Sequence, residues 1–491
     1  MVQRQSLPST SFNTSIVWRG VRRRNAANRS GAVMVLAALL IVMMIVLAAF
    51  AIDLGHLRVT RAELRNAADS ASLAGAGTLR DTGSVSLARA EAVRFARLNT
   101  ADGKPVELDP MTDVIFGSSA FSSLTGRWDF VAGRQPFDSV QVRARRTAGS
   151  PGGAVPLFFG STLGSSVADS QAGAVATFLP RDIGLVIDLS GSMLYDSTLL
   201  HESSSAINNL AIWQALGSPK FGTMTNWNTL QSISSGTSTS SVISQLGLTN
   251  VPYPFPGGSW SEFVSYVKGS DAKLPTIYRH KYGLKTWIDY VLQKRSYKTS
   301  TPVLSTTPEQ PVTALKGAVT IMLDYLESLD TDEHVSLSTY DSLARIERNL
   351  STDLAAINSR MREMQAGHYD RETNIGDGIR RGRESLTGSY ARPGAKKVLI
   401  VLTDGLANEP GTDAYARQYA LDQARLAADQ EITIHSISFT AQADHALMAE
   451  IAKIGKGVHF HVNSYDVAQY SRDLERVLLT ISSIRPLVLS Q

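Results

Sequence analysis

From Gly31 to Ile52 the chain runs 22 residues without a charged side chain. At 1.5 Å per residue such a helix measures roughly 33 Å, enough to cross a hydrocarbon core of about 30 Å. The run is longer than the apolar core of a signal peptide and lacks a small-x-small cleavage site followed by a mature domain, so it reads as a retained transmembrane helix. Arg4, Arg19, Arg22, Arg23, Arg24 and Arg29 crowd its N-terminal flank, whereas Asp53, Arg58, Arg61 and Glu63 mix both signs on the other. The positive-inside asymmetry puts residues 1–30 in the cytoplasm and everything after Asp53 outside, in a single-pass topology across a bacterial inner membrane.

Those six arginines also explain the net charge of +4 and the pI near 9.1, because the rest of the chain holds 42 basic against 44 acidic residues. Electrostatics therefore argue against nucleic acid as a partner. Cysteine is absent, which excludes disulfides and thiolate metal sites. A length of 491 residues leaves room for two or three domains with their own cores.

Beyond the span, residues 53–179 read as a stalk and a small α+β domain. Leu57 to Leu79 is helical in character, with Ala67, Ala71, Ala74 and Gly75 on one stripe. A second helix covers Ser86 to Leu98, and strands are expected around 114–116, 127–131 and 139–145. Three stretches carry a family likeness: Ser30-Gly31-Ala32-Val33, Asp53-Leu54-Gly55, and the block from Leu64 through Asp69 and Ala71 to Ala76. Together they resemble the N-terminal region of Flp pilus-assembly TadG-like proteins. Related pseudopilins are cut after a glycine with glutamate five residues on; Leu36 stands at that place, and this departure from the pattern implies an anchor that is kept.

After Pro180 the pattern becomes an alternation of apolar strands and amphipathic helices. Strands are expected at Ile183–Ile187, Val335–Tyr340, Val398–Leu402, Ile432–Ile437 and Val458–His461. Helices are expected near 312–329, 353–365, 375–386, 414–429, 443–454 and 468–481. This predicts an α/β fold over 180–485, a doubly wound, mainly parallel, Rossmann-like sheet covered on both faces, with Ala344–Asn349 as an antiparallel edge. Residues 196–308 interrupt the rhythm after the first strand. This insertion holds a Ser/Thr-rich linker at 234–241 and Trp213, Trp227, Trp260 and Trp287, which form either its core or a recognition surface. It is too long to be a structureless loop, and a helix is expected at Leu284–Gln293.

The first strand ends in Asp188-Leu189-Ser190-Gly191-Ser192 and a later one in Thr403-Asp404-Gly405. In an open α/β sheet, ligands settle outside the carboxyl ends of the strands where the chain order reverses. Ser190 and Ser192, two apart in an extended loop, turn both hydroxyls to one side, and Gly191 permits close backbone approach. Thr373, just ahead of the helix starting at Ile375, offers a third hydroxyl. An all-oxygen set of this kind suits a hard divalent cation. Singly, each residue is equally an ordinary strand-end turn or helix cap.

As a set, Asp188, Ser190, Ser192, Thr373 and Asp404 resemble the metal-ion-dependent adhesion site of von Willebrand factor type A (VWA) domains. The resemblance implies Mg²⁺, with Mn²⁺ or Ca²⁺ as alternatives, and one coordination position left open for an acidic residue of a protein partner. With the membrane anchor, it implies a non-enzymatic role in Flp/Tad-type pilus assembly or anchoring, with pilus or envelope components as partners. Two other readings remain: a structural envelope protein acting through its insertion without metal, and a hydrolase using the cation to activate water. His459 and His461 share a strand face without a third ligand. Ser265-x-x-Lys268 lacks the Lys-Thr-Gly that accompanies it in acyl-serine enzymes.

Overall fold

The computed structural model describes residues 30–201, 209–295, 299–329, 333–367, 370–462 and 466–490. The N-terminal arginine cluster assigned to the cytoplasm lies outside the described residues. A single helix runs from Ser30 to Thr82, so the apolar span and the stalk are one element about 80 Å long. Every side chain from residue 33 to residue 48 is exposed. From Leu64 onward the same helix turns inward, with Leu64, Ala67, Ala68, Ala71 and Ala76 fully buried. The small side chains let the helix Val85–Arg97 lie close against it. A Cβ on Gly75 would come within 3.2 Å of Ala92 Cβ.

Both helices cover an antiparallel sheet ordered 487–489, 170–178, 139–146, 114–122, 127–132. Sequence reasoning did not include two of these strands. Ser170–Phe178 buries its second half completely. Leu487–Leu489 pairs with Phe178, Thr177 and Ala176, so the C-terminal end of the described chain returns to the small domain. Three residues are too few to show an alternation.

The second sheet is ordered 344–351, 334–340, 181–188, 396–403, 433–439, 456–462. Numbered by sequence, these strands stand 3-2-1-4-5-6, the doubly wound order. All adjacent pairs are parallel except the 334–340/344–351 hairpin. Arg181–Asp188 lies at the centre and is buried along its whole length. Ile183, Leu185 and Ile187 face a core built with helices 312–328, 354–363 and 467–483. Val186, Leu399 and Val401 face the opposite core, built with helices 375–387, 413–428 and 445–454. The switch point, where the chain order reverses, falls between 181–188 and 396–403.

One helix is held unusually close to the sheet. A Cβ on Gly382 would come within 2.4 Å of Leu399 Cδ1 and 2.6 Å of Val186 Cγ2, and one on Gly378 within 2.7 Å of Tyr340 Cδ1. Helix 375–387 therefore rests directly on the central strands, which draws Thr373, two residues ahead of it, toward the sheet's carboxyl end.

The insertion is folded. It carries helices Asn209–Ala215, Thr239–Gln245, Trp260–Lys268 and Leu284–Lys294, the last as expected. The anticipated Ser/Thr linker at 234–241 is in part helical, because the Ser238 side chain caps the helix at 239–245 by accepting from the Ser241 N–H. Trp260 and Trp287 are buried and meet the Phe221 ring edge-on at 4.9 and 4.8 Å, so they are core. That core is continuous with the face of the sheet carrying Ile183 and Leu185.

At the amino end of the central strand, the buried Arg181 guanidinium donates to Glu333 and to the carbonyls of Ser482 and Ile484, and Glu333 also pairs with Arg485. Arg80 of the long helix donates to the Arg485 carbonyl at 2.8 Å. The stalk thus meets the second domain at the end of the sheet opposite Asp188.

The close helix gives a direct test. Gly382→Val overpacks two core side chains and is expected to cost about 1–3 kcal/mol in a denaturant melt. Gly317→Ala, on helix 312–328 with open space around it, should instead gain roughly 0.5–1 kcal/mol.

Candidate metal centre

Asp188 closes the central strand fully buried, and Asp404 follows the neighbouring parallel strand at 1% exposure. Their carboxylates are tied together through hydroxyls. Ser190 N–H donates to Asp188 Oδ1 at 2.7 Å, Ser190 Oγ and Ser192 Oγ are 2.9 Å apart, and Ser192 Oγ donates to Asp404 Oδ1 at 2.6 Å. The two serine hydroxyls do turn to one side.

Thr373 reaches the same place from the other flank. A Cβ built on Gly405 would lie 3.0 Å from Ser192 Oγ and 3.1 Å from Thr373 Oγ1, so both hydroxyls border one point above Gly405. The simple capping explanation for Thr373 does not hold, because Asn374 caps helix 375–387 by accepting from the Asp377 N–H at 2.9 Å. The Thr373 main chain is clamped by Asn408, whose side-chain oxygen accepts from Thr373 N–H at 2.7 Å while its own main-chain N–H donates back to Thr373 O at 3.1 Å. Gly191 serves differently from the expectation. A Cβ there would meet the Arg371 guanidinium at 3.0 Å, so the glycine makes room for Arg371 while its N–H donates to Arg371 O at 2.9 Å.

All five residues expected from the sequence thus gather at the switch point. Sequence reasoning missed three others. Thr403 donates to Asp188 Oδ2 at 2.7 Å and accepts from the Gly405 N–H at 3.1 Å, orienting the first aspartate. Asn408 positions Thr373. Asp196, in the turn Gly191–Ser197, is 5% exposed, and its Oδ2 meets no hydrogen-bond partner among the described residues. Of these, only Thr403 carried a signal, as the residue directly before Asp404 at a strand end.

Burial pushes the Asp188 carboxyl up, opposed by hydrogen bonds from Ser190 and Thr403. Asp404 is also pushed up, first by burial and then by the negative charge of Asp188, with Ser192 opposing. Among the described residues neither carboxylate has a basic partner. The donors are carboxylate and hydroxyl oxygens, the chemistry that fits a hard cation. Two like charges this deep need a positive charge or a shared proton.

A cavity of about 360 Å³ opens over the site, lined among others by Ser192, Thr373, Asp404, Lys273, Gln293, Arg371 and Glu372. Lys273 and Gln293 come from the insertion, which emerges beside the Asp188 loop as its position in the chain implied. Arg371 Nη1 donates to Leu292 O at 3.1 Å. The remaining sequence candidates have local roles. His459 Nδ1 and Nε2 lie 2.9 and 3.2 Å from the Ser436 and Ser438 hydroxyls. Lys268 donates to Thr237 O.

Comparison with known proteins finds three family matches along the chain. Residues 31–78 match the Flp pilus-assembly TadE/G-like family, residues 74–176 the Tad-like Flp pilus-assembly family, and residues 305–474 the von Willebrand factor type A domain. The chain thus carries a Tad-like N-terminal region followed by a VWA domain, whose sheet begins at Arg181, ahead of the insertion. No curated protein matches it. Among solved structures, BatB from Bacteroides thetaiotaomicron is 18% identical over 35% of this chain and 90% of that one, at a TM-score of 0.29. The PilB minor pilin from Streptococcus sanguinis is 11% identical over 76% of this chain and 89% of its own, at 0.35. The vWF domain of the type V pili tip protein Mfa5 from Porphyromonas gingivalis is 11% identical over 62% and 96%, at 0.31.

Asp196 yields a pH prediction. Burial pushes its carboxyl up to about 6. A carboxyl that holds its proton more tightly folded than unfolded contributes stability below its unfolded pKa, and that stability is lost as pH rises from about 4 to about 6. In chelator, Asp196→Asn should therefore stabilise the protein by about 1–3 kcal/mol near neutral pH and by little near pH 4. An equal effect at both pH values would contradict the assignment.

Proposed function

We propose that this chain is a single-pass protein of a bacterial inner membrane, with its N-terminus cytoplasmic and its bulk outside, that captures a protein partner through a divalent cation. The cation, Mg²⁺ by preference, is held by Asp188, Ser190, Ser192, Thr373 and Asp404. The Tad-like matches favour a role in assembling or anchoring a Flp-type pilus, without catalysis. One observation carries the reading: two buried carboxylates without a basic partner among the described residues, bridged by serine hydroxyls at the switch point of a doubly wound sheet. Neutral hydroxyls leave a bound cation under-neutralised, so a partner's carboxylate gains by completing its octahedron.

Two basic residues in the cavity lining support an acidic partner. Lys273 and Arg371 face the same space as Ser192 and Asp404. Burial pulls the Lys273 ammonium down, the charges of Arg371 and Lys294 pull it further, and Asp271 and Glu372 oppose them, so the net shift is downward and an anion seated there would offset it. The volume falls in the range of small ligand pockets, about 300–1,000 Å³. It accommodates a short acidic segment.

The test is capture by the full chain in detergent, with Mg²⁺ or with chelator. Chelator and Asp188→Ala should each abolish capture of an envelope component. Thr403→Val, which leaves every proposed ligand in place, should weaken Mn²⁺ binding by about 10–100-fold. Lys273→Ala should weaken capture and leave metal affinity intact. Capture indifferent to both chelator and Asp188→Ala would refute the metal mechanism.

A further inference from the structure

The small domain holds a second surface, far from the metal centre. Between Arg146 and Asp169 the chain has 22 consecutive residues with no Asp, Glu, Lys, Arg or His. Within that stretch, the Phe158 and Phe159 side chains are 66% and 40% exposed, and Val167 is 47% exposed. Two adjacent phenylalanines facing solvent are costly on a water-exposed surface, and their placement gives the reason.

The loop is docked on the long helix at the first charged residue after the apolar span. Asp53 is only 4% exposed, because its carboxylate accepts the Phe158 N–H at 2.9 Å and the Phe159 N–H at 3.1 Å. One helical turn on, the His56 ring lies 4.9 Å from the Phe158 ring. Ile52 to His56 spans roughly 6 Å of helix. A headgroup layer is roughly 5–7 Å thick on each side of the hydrocarbon. With the end of the span at the edge of the hydrocarbon, the two phenylalanines fall at the level of the headgroups, and Leu54, on the helix beside Asp53, is also exposed. Arg58 and Arg61, exposed on the next turn, are placed to reach lipid phosphates.

We propose that the loop from residue 157 to residue 167 is a second membrane contact, with Phe158 and Phe159 immersed in the interface and Asp53 as the latch that holds them there. The occupant is the lipid bilayer itself. The contact fixes the tilt of the small domain against the membrane, which a lone helix leaves free to swivel. It rests on Gly31–Ile52 being a membrane span and is independent of the metal centre.

The chain has no cysteine, so a single Ser161→Cys in the exposed part of the loop takes a fluorescent label while both phenylalanines stay. The full chain is reconstituted in liposomes containing lipids brominated near the headgroup, with a Leu406→Cys label at the opposite end of the second domain for comparison. The label at 161 should be quenched several-fold more strongly than the label at 406. Adding Phe158→Ser and Phe159→Ser should reduce that quenching while the chain still floats with the liposomes. Equal quenching at the two positions, or quenching indifferent to the double serine change, would overturn the proposal. A chain that does not float at all would overturn the span as well.

Discussion

Two carboxyl groups, those of Asp188 and Asp404, are buried side by side at the carboxyl ends of adjacent parallel strands. Burial pushes both carboxyls up, and their partners are hydroxyls and N–H groups rather than basic side chains, so the pair needs either a shared proton or a positive charge from outside the chain. Much of the second domain can be read as the machinery that tolerates this placement. The doubly wound order opens a crevice between the two strands, and the glycines of helix 375–387 let it settle on the sheet so that Thr373 arrives from above. Thr403 and Asn408 then hold Asp188 and Thr373 in position.

The other end of the sheet is built for attachment. Arg181, Glu333 and Arg485 form a buried ionic cluster that joins the start of the central strand to the end of the last long helix. The chain crosses between domains twice there, at residues 178–181 and 484–487, and the long helix touches the crossing through Arg80. With eight residues at about 3.3 Å each, the central strand separates the two ends by roughly 26 Å. The polar crevice thus lies at the end of the sheet away from the stalk, and Lys273 and Gln293 of the insertion line it.

Much of this was legible in the sequence because the signals were periodic or chemically unusual. The alternation from Ile183 onward specified a parallel sheet, and the Asp-x-Ser-x-Ser run stood at the end of an apolar strand, where a turn needs no second serine. What escaped notice depended on tertiary structure. Leu487–Leu489 is a strand only because Ala176, Thr177 and Phe178 offer it an edge. The Ser/Thr-rich composition around 234–241 concealed a cap and a short helix, since serine serves loops and N-caps equally. Gly191 was assigned a ligand-facing purpose, but its neighbour is Arg371, far away in the chain. The paired role of Asp53 and Phe158 was invisible for the same reason, a separation of 105 residues.

The central claim, that a divalent cation joins the two aspartates, is met most directly by diffraction from crystals soaked in Mn²⁺ and measured for anomalous signal. A single strong peak should lie within about 2.0–2.3 Å of the Ser190 and Ser192 hydroxyl oxygens, with Asp188, Thr373 and Asp404 bound directly or through water. A crevice without a peak at saturating Mn²⁺, with Ser192 still hydrogen-bonded to Asp404, would contradict it.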